Sequence, residues 1–356
     1  MRLRGRGGAS ERAARVGSRV GRPHVPVEID TRRHVVCGVH IALHHWTVVL
    51  MDLRGQVIAQ HRTPHQGLEP ATVLAEIGTG VQTFLATHAR RLPLGVGVAV
   101  GGWVDSARRV VVRHTQLGWV EVAVGSVLEE RIGIPVRVES HSRALAQAEQ
   151  LIGAHRARAR ASLVHLFVGN VVDAAIVIGD SVHRGPRSAA GDVSHLPVGD
   201  GAVLPPEWCS CGRFGCVQAT VADRALTQHA ARAGRIPRPA FEELLGAVES
   251  GQGWAVELFA DRARLVGRAV ATLLDVINPE ILVVTEAGIA RRPELLAELH
   301  DEVAARSRVC PDPARTVFAS SFGTQSLGVA GGTVVLHETY ARPLAVSSDK
   351  QPVLRR

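Results

Sequence analysis

The apolar positions of this chain fall into two passes of one pattern. Runs at Val35–Val39, Trp46–Met51 and Val57–Gln60 are separated by short polar turns, among them Asp52-Leu53-Arg54-Gly55, which is the spacing of an antiparallel meander. The pattern then predicts a helix over 69–89, a buried strand at Gly95–Val100 and a short strand at Val110–His114. Val120–Gly133 reads as a helix ended by Gly133 and Pro135, followed by a strand at Val136–Glu139 and an Ala- and Leu-rich helix at Ser142–Ile152. A second meander follows at Ser162–Val168, Ala174–Ile178 and Ser181–His183. Helices are expected over 254–277, 293–306 and 328–341, with a buried strand at Ile281–Val284. A βββαβα unit repeated in this way predicts an α/β protein with two similar lobes facing a cleft.

Composition narrows the class. A chain of 356 residues can bury two cores, and 46% apolar with 21% charged residues excludes a disordered chain. No apolar run approaches the length of a bilayer span. The Arg-rich start carries no apolar h-region, so a cytoplasmic location is expected, with no membrane partner and with Cys37 and Cys310 as reduced thiols. The net charge of +8 is concentrated at the N-terminus, where nine arginines in residues 1–33 face only Glu11, Glu28 and Asp30. This segment reads as a solvated, disordered tail or as the remnant beside a nucleic-acid-binding module. Its end, Gly21 to Asp30, contains two prolines and reads as an extended joint. The expected organisation is a tail and joint over 1–33, one lobe over 34–140 closed by a C-terminal helix at 328–345, a second lobe over 141–327, and a tail over 346–356.

The densest candidate chemistry is Cys209-Ser210-Cys211-Gly212-Arg213-Phe214-Gly215-Cys216, with His195 fourteen residues before the first cysteine. Three thiols and one imidazole are a complete tetrahedral set for a structural Zn²⁺, and the two glycines permit the sharp turns that aim the thiols at one point. A disulfide, or thiols that are merely buried, is the alternative. The spacing in a chain without a secretion signal favours the metal.

This motif, preceded by Gly191-Asp192 and His195, resembles the signature of the ROK family of repressors, open reading frames and sugar kinases. The resemblance extends over about 34–345 and takes in Gly97 to Asp105, Leu117-Gly118-Trp119, Ala189-Ala190-Gly191 and Asn278-Pro279. It implies an actin-like, ribonuclease-H-like two-lobed fold with a zinc-binding loop that braces the sugar site. A homodimer or homotetramer is implied as well.

The resemblance also locates the phosphate chemistry. Family kinases carry Asp-x-Gly-Gly-Thr in the first hairpin, where this chain has His40, Ile41, Ala42, Leu43 and His44. The second loop, Gly-Thr-Gly-Ile-Gly-Gly in kinases, is Gly169-Asn170-Val171-Val172-Asp173-Ala174 here. Asp173 would face phosphate oxygens, and two unit charges about 4 Å apart repel by roughly 4 kcal/mol at an effective dielectric of 20. The adenosine-side glycines are Thr285, Glu286 and Ala287, and the catalytic Asp of Glu-Asn-Asp-Ala-Asn becomes His141 in Glu139-Ser140-His141-Ser142-Arg143. An imidazole can accept a hydroxyl proton, but without a phosphate cradle it has nothing to transfer. A kinase-dead body is therefore expected.

By the same carry-over, the ligand-binding positions are Gly102, Ser140, His141, Asp192, His195 and Gln218, and the metal ligands are His195, Cys209, Cys211 and Cys216. Gly21 to Asp30 resembles the joint that links a winged helix-turn-helix to this body in the regulator branch. Only about 20 residues precede it, too few for that head. The expectation is a sugar-sensing regulator whose effector is a small sugar or phosphosugar, with DNA as a partner only if a reading head lies upstream. The alternative is a glucokinase-like, ATP-dependent ROK sugar kinase.

Overall fold

The computed structural model describes residues 9–11, 27–199 and 201–343. The rest of the expected tails, the DNA-side remnant included, lies outside the described residues. A short antiparallel ladder pairs Ala9–Glu11 (β1) with Val27–Ile29 (β2). The first meander is His34–Ile41 (β3), His45–Asp52 (β4) and Val57–Pro64 (β5), followed by helix Pro70–Thr87 (α1) and Leu92–Val100 (β6). Trp103–Asp105 (β7), Val110–His114 (β8) and Trp119–Val122 (β9) make a small antiparallel sheet, and Val124–Ile132 (α2) leads to Val136–Ser140 (β10). Two helices, His141–Ile152 (α3) and Arg156–Ala161 (α4), precede the second meander of Ser162–Val168 (β11), Val172–Ile178 (β12) and Ser181–His183 (β13).

After a long irregular stretch come Val217–Val221 (α5), Asp223–Arg232 (α6), Phe241–Glu249 (α7) and the 25-residue Gly253–Ile277 (α8). The chain ends with Ile281–Glu286 (β14), Ala287–Arg291 (α9), Leu295–Arg306 (α10), Val317–Ala319 (β15) and Ser326–Ala341 (α11). No helix among the described residues is long and apolar enough to cross a membrane.

The duplication is visible in strand order. One sheet runs β10-β6-β3-β4-β5 and the other β13-β12-β11-β14-β15, so each is an antiparallel meander extended by two parallel strands. Each has its own core. Val35, Val39, Val48, Val98 and Leu128 pack under the first sheet, and Val164, Leu166, Phe259, Val266 and Val284 under the second. This is the two-lobed actin-like arrangement. One predicted element differs. The helix expected over Val120–Gly133 starts only at Val124, because Trp119–Val122 pairs with β8 and Glu121 adopts φ 50°, which no helix residue takes.

The last helix, α11, lies across β3 and β6 at backbone contact. A Cβ on Gly38 would stand 2.2 Å from Gly332 N, and one on Gly331 2.7 Å from Val39 N. Neither neighbour is a flexible side-chain tip, so only hydrogen fits. Gly38→Ala should destabilise the fold by about 3 kcal/mol. The control is Gly246→Ala on α7, where a Cβ meets nothing within 4 Å and the melting temperature should hold or rise. Equal melting temperatures for the two variants would contradict the close approach.

The interior also holds an unusual number of imidazoles. Burial holds His141 and His165 down to about 3, and His114 and His45 down to about 4. The same burial pushes the carboxyls of Asp173 and Asp223 up to about 6. Between pH 6.5 and their depressed values, the four histidines bind more protons unfolded than folded, so acidification removes stability. The two carboxyls act oppositely below about pH 6, but they are outnumbered. The melting temperature should therefore fall from pH 7.5 to pH 5. His165→Gln should reduce that fall by on the order of 1–2 kcal/mol, and a variant with the wild-type pH profile would refute the assignment.

Candidate functional site

The cysteine motif folds as a knuckle. Cys209 N donates to Arg213 O (2.8 Å) and Gly212 N back to Cys209 O (2.9 Å), a tight turn that needs φ 85° at Gly212 and is followed by φ 74° at Gly215. Trp208 and Phe214 bridge the base of the turn, and Pro197 pairs with Cys216 so that the segment carrying His195 lies against it. The ligand atoms of His195, Cys209, Cys211 and Cys216 all lie within 4.8 Å of one another. Cys211 Sγ is 3.7 Å from Cys216 Sγ, and His195 Nδ1 is 3.5 Å from Cys209 Sγ. With metal–sulfur and metal–nitrogen bonds of about 2.3 and 2.0 Å, a tetrahedron has edges of about 3.8 and 3.5 Å. These four groups form a cluster fitted to a metal ion. The thiols differ as acids: a backbone hydrogen bond from Arg213 holds Cys211 down to about 7, while burial pushes Cys216 up to about 12.

Several of the expected ligand positions gather at the junction of β10 and α3. Ser140 caps α3, its Oγ accepting from Arg143 N at 3.4 Å. Ser142 Oγ donates to Asp173 Oδ2 (2.8 Å), so the β12 carboxylate is drawn to the start of α3. His141 is buried between the His40 ring (4.7 Å between centroids) and Phe167 (4.9 Å), and neither ring nitrogen of His40 has a hydrogen-bond partner among the described residues. Asp192 is near enough to Asp173 to help raise its carboxyl. A Cβ on Gly101 would meet Val171 at 2.9 Å, His114 Nε2 at 3.1 Å and His141 Cε1 at 3.4 Å, so these groups close in around the Gly101-Gly102 turn.

The positions that the resemblance assigns to nucleotide are filled by the chain itself. Val171 packs with Ala99, Ala144, Leu145, Phe167 and Ala330. Glu286 accepts from Gly288 N (2.9 Å) and Ile289 N (2.7 Å), taking the amides that start α9. Arg262, fully buried, joins Glu286 and Asp223 at 2.7 Å each. Asp223 N in turn donates to Gly169 O (3.1 Å), so the second loop is tied to the same network.

The structure thus brings Ser140 and His141 close to the Gly101-Gly102 turn, sets Asp192 near Asp173, and unites the four metal-ligand candidates. Gln218 Oε1 accepts from Val172 N (3.0 Å), steadying the second loop. Asp192 is exposed and accepts from the amide and hydroxyl of Ser194 through Oδ1. Sequence reasoning gave no role to Arg143, Arg262, His114 or Trp103. Arg143 is buried, donating to Glu139 Oε1 (2.6 Å), Val104 O (2.7 Å) and Ser188 O (3.0 Å). The available signal was its place in Glu139–Arg143, where an i,i+4 ion pair is legible.

Comparison with known proteins agrees with this architecture. A transcriptional regulator of Mycobacterium tuberculosis (strain ATCC 25618 / H37Rv) is 33% identical over 341 residues, covering 92% of this chain and 75% of that protein. The Escherichia coli (strain K12) protein named DNA-binding transcriptional dual regulator NagC is 26% identical over 282 residues, covering 74% and 66%. Among solved structures, a ROK family transcriptional regulator homologous to the E. coli MLC protein superposes with a TM-score of 0.74 at 20% identity, covering 92% of this chain and 84% of that one. A ROK family glucokinase from Streptomyces griseus, in complex with glucose and AMPPNP, gives 0.67 at 21% identity, covering 84% and 98%. These two likenesses speak to the fold. A family model described as the ROK family matches residues 36–338, and with that match and the 33% relative the chain belongs to the ROK family.

Proposed function

We propose that this chain is the effector-binding body of a ROK-type transcriptional regulator, kinase-dead and braced by a structural zinc ion. The observation that carries the reading is the self-filled nucleotide side. A triphosphate would have to displace Val171 from its packing and break the buried Glu286–Arg262–Asp223 network. Removing one partner from such a network leaves an uncompensated buried charge, at a cost of about 3–5 kcal/mol. The relatives named as transcriptional regulators support the same direction. The kinase alternative has the fold likeness to a glucokinase on its side, but it needs the loops that are blocked here.

In this reading a small sugar or phosphosugar enters between the sheets and meets Ser140, His141 and Asp192. Its binding favours one angle between the lobes. His195 and the three thiolates would hold zinc, which supplies only rigidity to the segment that carries Asp192. Loading releases protons, because thiols as high as Cys216 must ionise.

Two measurements test these statements. In a coupled ATP-consumption assay with glucose, N-acetylglucosamine and xylose, turnover should stay at background. At least one sugar or phosphosugar from a wider panel should raise the melting temperature by mass action. Sugar-dependent ATP turnover that His141→Ala abolishes would overturn the reading. For the metal, elemental analysis should find one zinc per chain in the wild type and none in Cys216→Ser, whose melting temperature falls. A chelator should strip the metal faster at pH 5.5 than at pH 8, and a metal-free wild type with unchanged stability would refute the brace.

A further inference from the structure

The segment from Arg184 to Asp192 crosses from β13 toward the small sheet, and its crest is held by contacts that its own fold does not require. Its base is firm: Ala190 N donates to Arg184 O (3.0 Å) and Ala174 N to Gly191 O (2.8 Å), and Arg184 reaches the buried Glu139 carboxylate at 3.1 Å. At the crest, Arg187 and Ser188 both sit in the left-handed region, at φ 54° and 56°. Two successive residues with Cβ atoms rarely hold that conformation unless their surroundings impose it. Here the imposing groups are identifiable. Trp103 Nε1 donates to Arg187 O at 2.8 Å, the Arg187 guanidinium lies 4.6 Å over the Trp103 ring, and Arg143 donates to Ser188 O.

We infer that residues 184–192 form a strap across the candidate ligand site, latched shut by Trp103 and by the buried fork of Arg143. Trp103 follows Gly102 directly in the small sheet, and the strap follows β13 of the second five-stranded sheet and ends at Asp192, so the latch joins the two candidate ligand positions that flank it in sequence. The conformational cost stored at Arg187 and Ser188 favours release once the indole contact is lost. Trp103 and Arg143 are positioning residues: they act on a ligand only through the strap that holds Asp192. The inference rests on the reading of this cleft as a ligand site, but the latch itself is testable with no ligand present.

Arg184 and Arg187 are trypsin sites within the strap, so limited digestion of the full chain reports its opening. Cleavage follows the open population when opening is fast. With cut positions resolved by mass spectrometry, the wild type should be cut slowly after Arg187. Trp103→Ala should be cut there about tenfold faster, with its melting temperature and its cleavage at other arginines unchanged. Trp103→Phe keeps a ring but loses the N–H, and should lie between. Arg187→Lys, at an exposed position, keeps the charge and the trypsin site but loses the planar stack, and should also accelerate cleavage. Wild-type rates in both Trp103→Ala and Arg187→Lys would overturn the latch, as would an acceleration equal at every site. Failure of all sugars to bind would count against the ligand reading and leave the digestion result standing.

Discussion

A guanidinium taken out of water must find acceptors for its donors inside the protein, and Arg143 finds them on three sides. Its Nε meets Glu139 of β10, one terminal nitrogen meets Val104 of β7, and the other meets Ser188 in the strap after β13. Glu139 is equally engaged: Ser106 Oγ donates to it at 2.6 Å, Ser140 N at 3.0 Å and Arg184 at 3.1 Å. One buried ion pair therefore fixes the end of a strand, the first turn of α3, the small sheet and a loop of the other lobe. Ser140 and His141 lie between its two members in sequence. The pair adds to the contacts they make themselves, the Ser140 cap of α3 and the His141 ring between His40 and Phe167.

The same economy governs the helix starts that face the cleft. Amides at a helix N-terminus are unpaired donors and attract anions. At α3 the anion is Asp173, which takes the Ser142 hydroxyl and lies against its amide. At α9 it is Glu286, which takes two amides and an arginine. A carboxylate attached to the chain has no association entropy to overcome, whereas a phosphate arriving from solution has to displace it. Burial pushes the Asp173 and Asp223 carboxyls up to about 6, against the hydrogen bonds and arginines that pull them down.

Much of this was legible in the sequence where the signal was local. Both meanders, the long helix at Gly253–Ile277 and the glycine-turned knuckle follow from periodicity and from residues that only glycine can replace. Val120–Val122 reads as a helix start because Val, Glu and Val fit a helix as well as a strand, and only pairing with β8 decides. The candidate site was legible as a set of positions but not as a set of partners. Gln218 turning to Val172 and Arg262 joining two carboxylates depend on residues 24 to 46 positions apart. No spacing rule connects such pairs, since the fold alone brings them together.

The knuckle and the strap meet in one segment, which gives the cluster of His195 and the three cysteines a mechanical meaning. Asp192 ends the strap, and His195 enters the cluster three residues later. Between and beyond them, Gln218 N donates to Ser194 O (3.1 Å), Val217 N to Leu196 O (2.8 Å) and Val198 N to Gly215 O (3.3 Å). Residues 194–198 are thus laced to the last cysteine and the helix after it. Gly191 is laced to β12 at the other end. A shift of the strap crest therefore pivots about fixed ends rather than sliding the Asp192 segment along the sheet. With the ends fixed, the freedom that remains is at Arg187 and Ser188, the two residues whose backbone already sits away from its minimum.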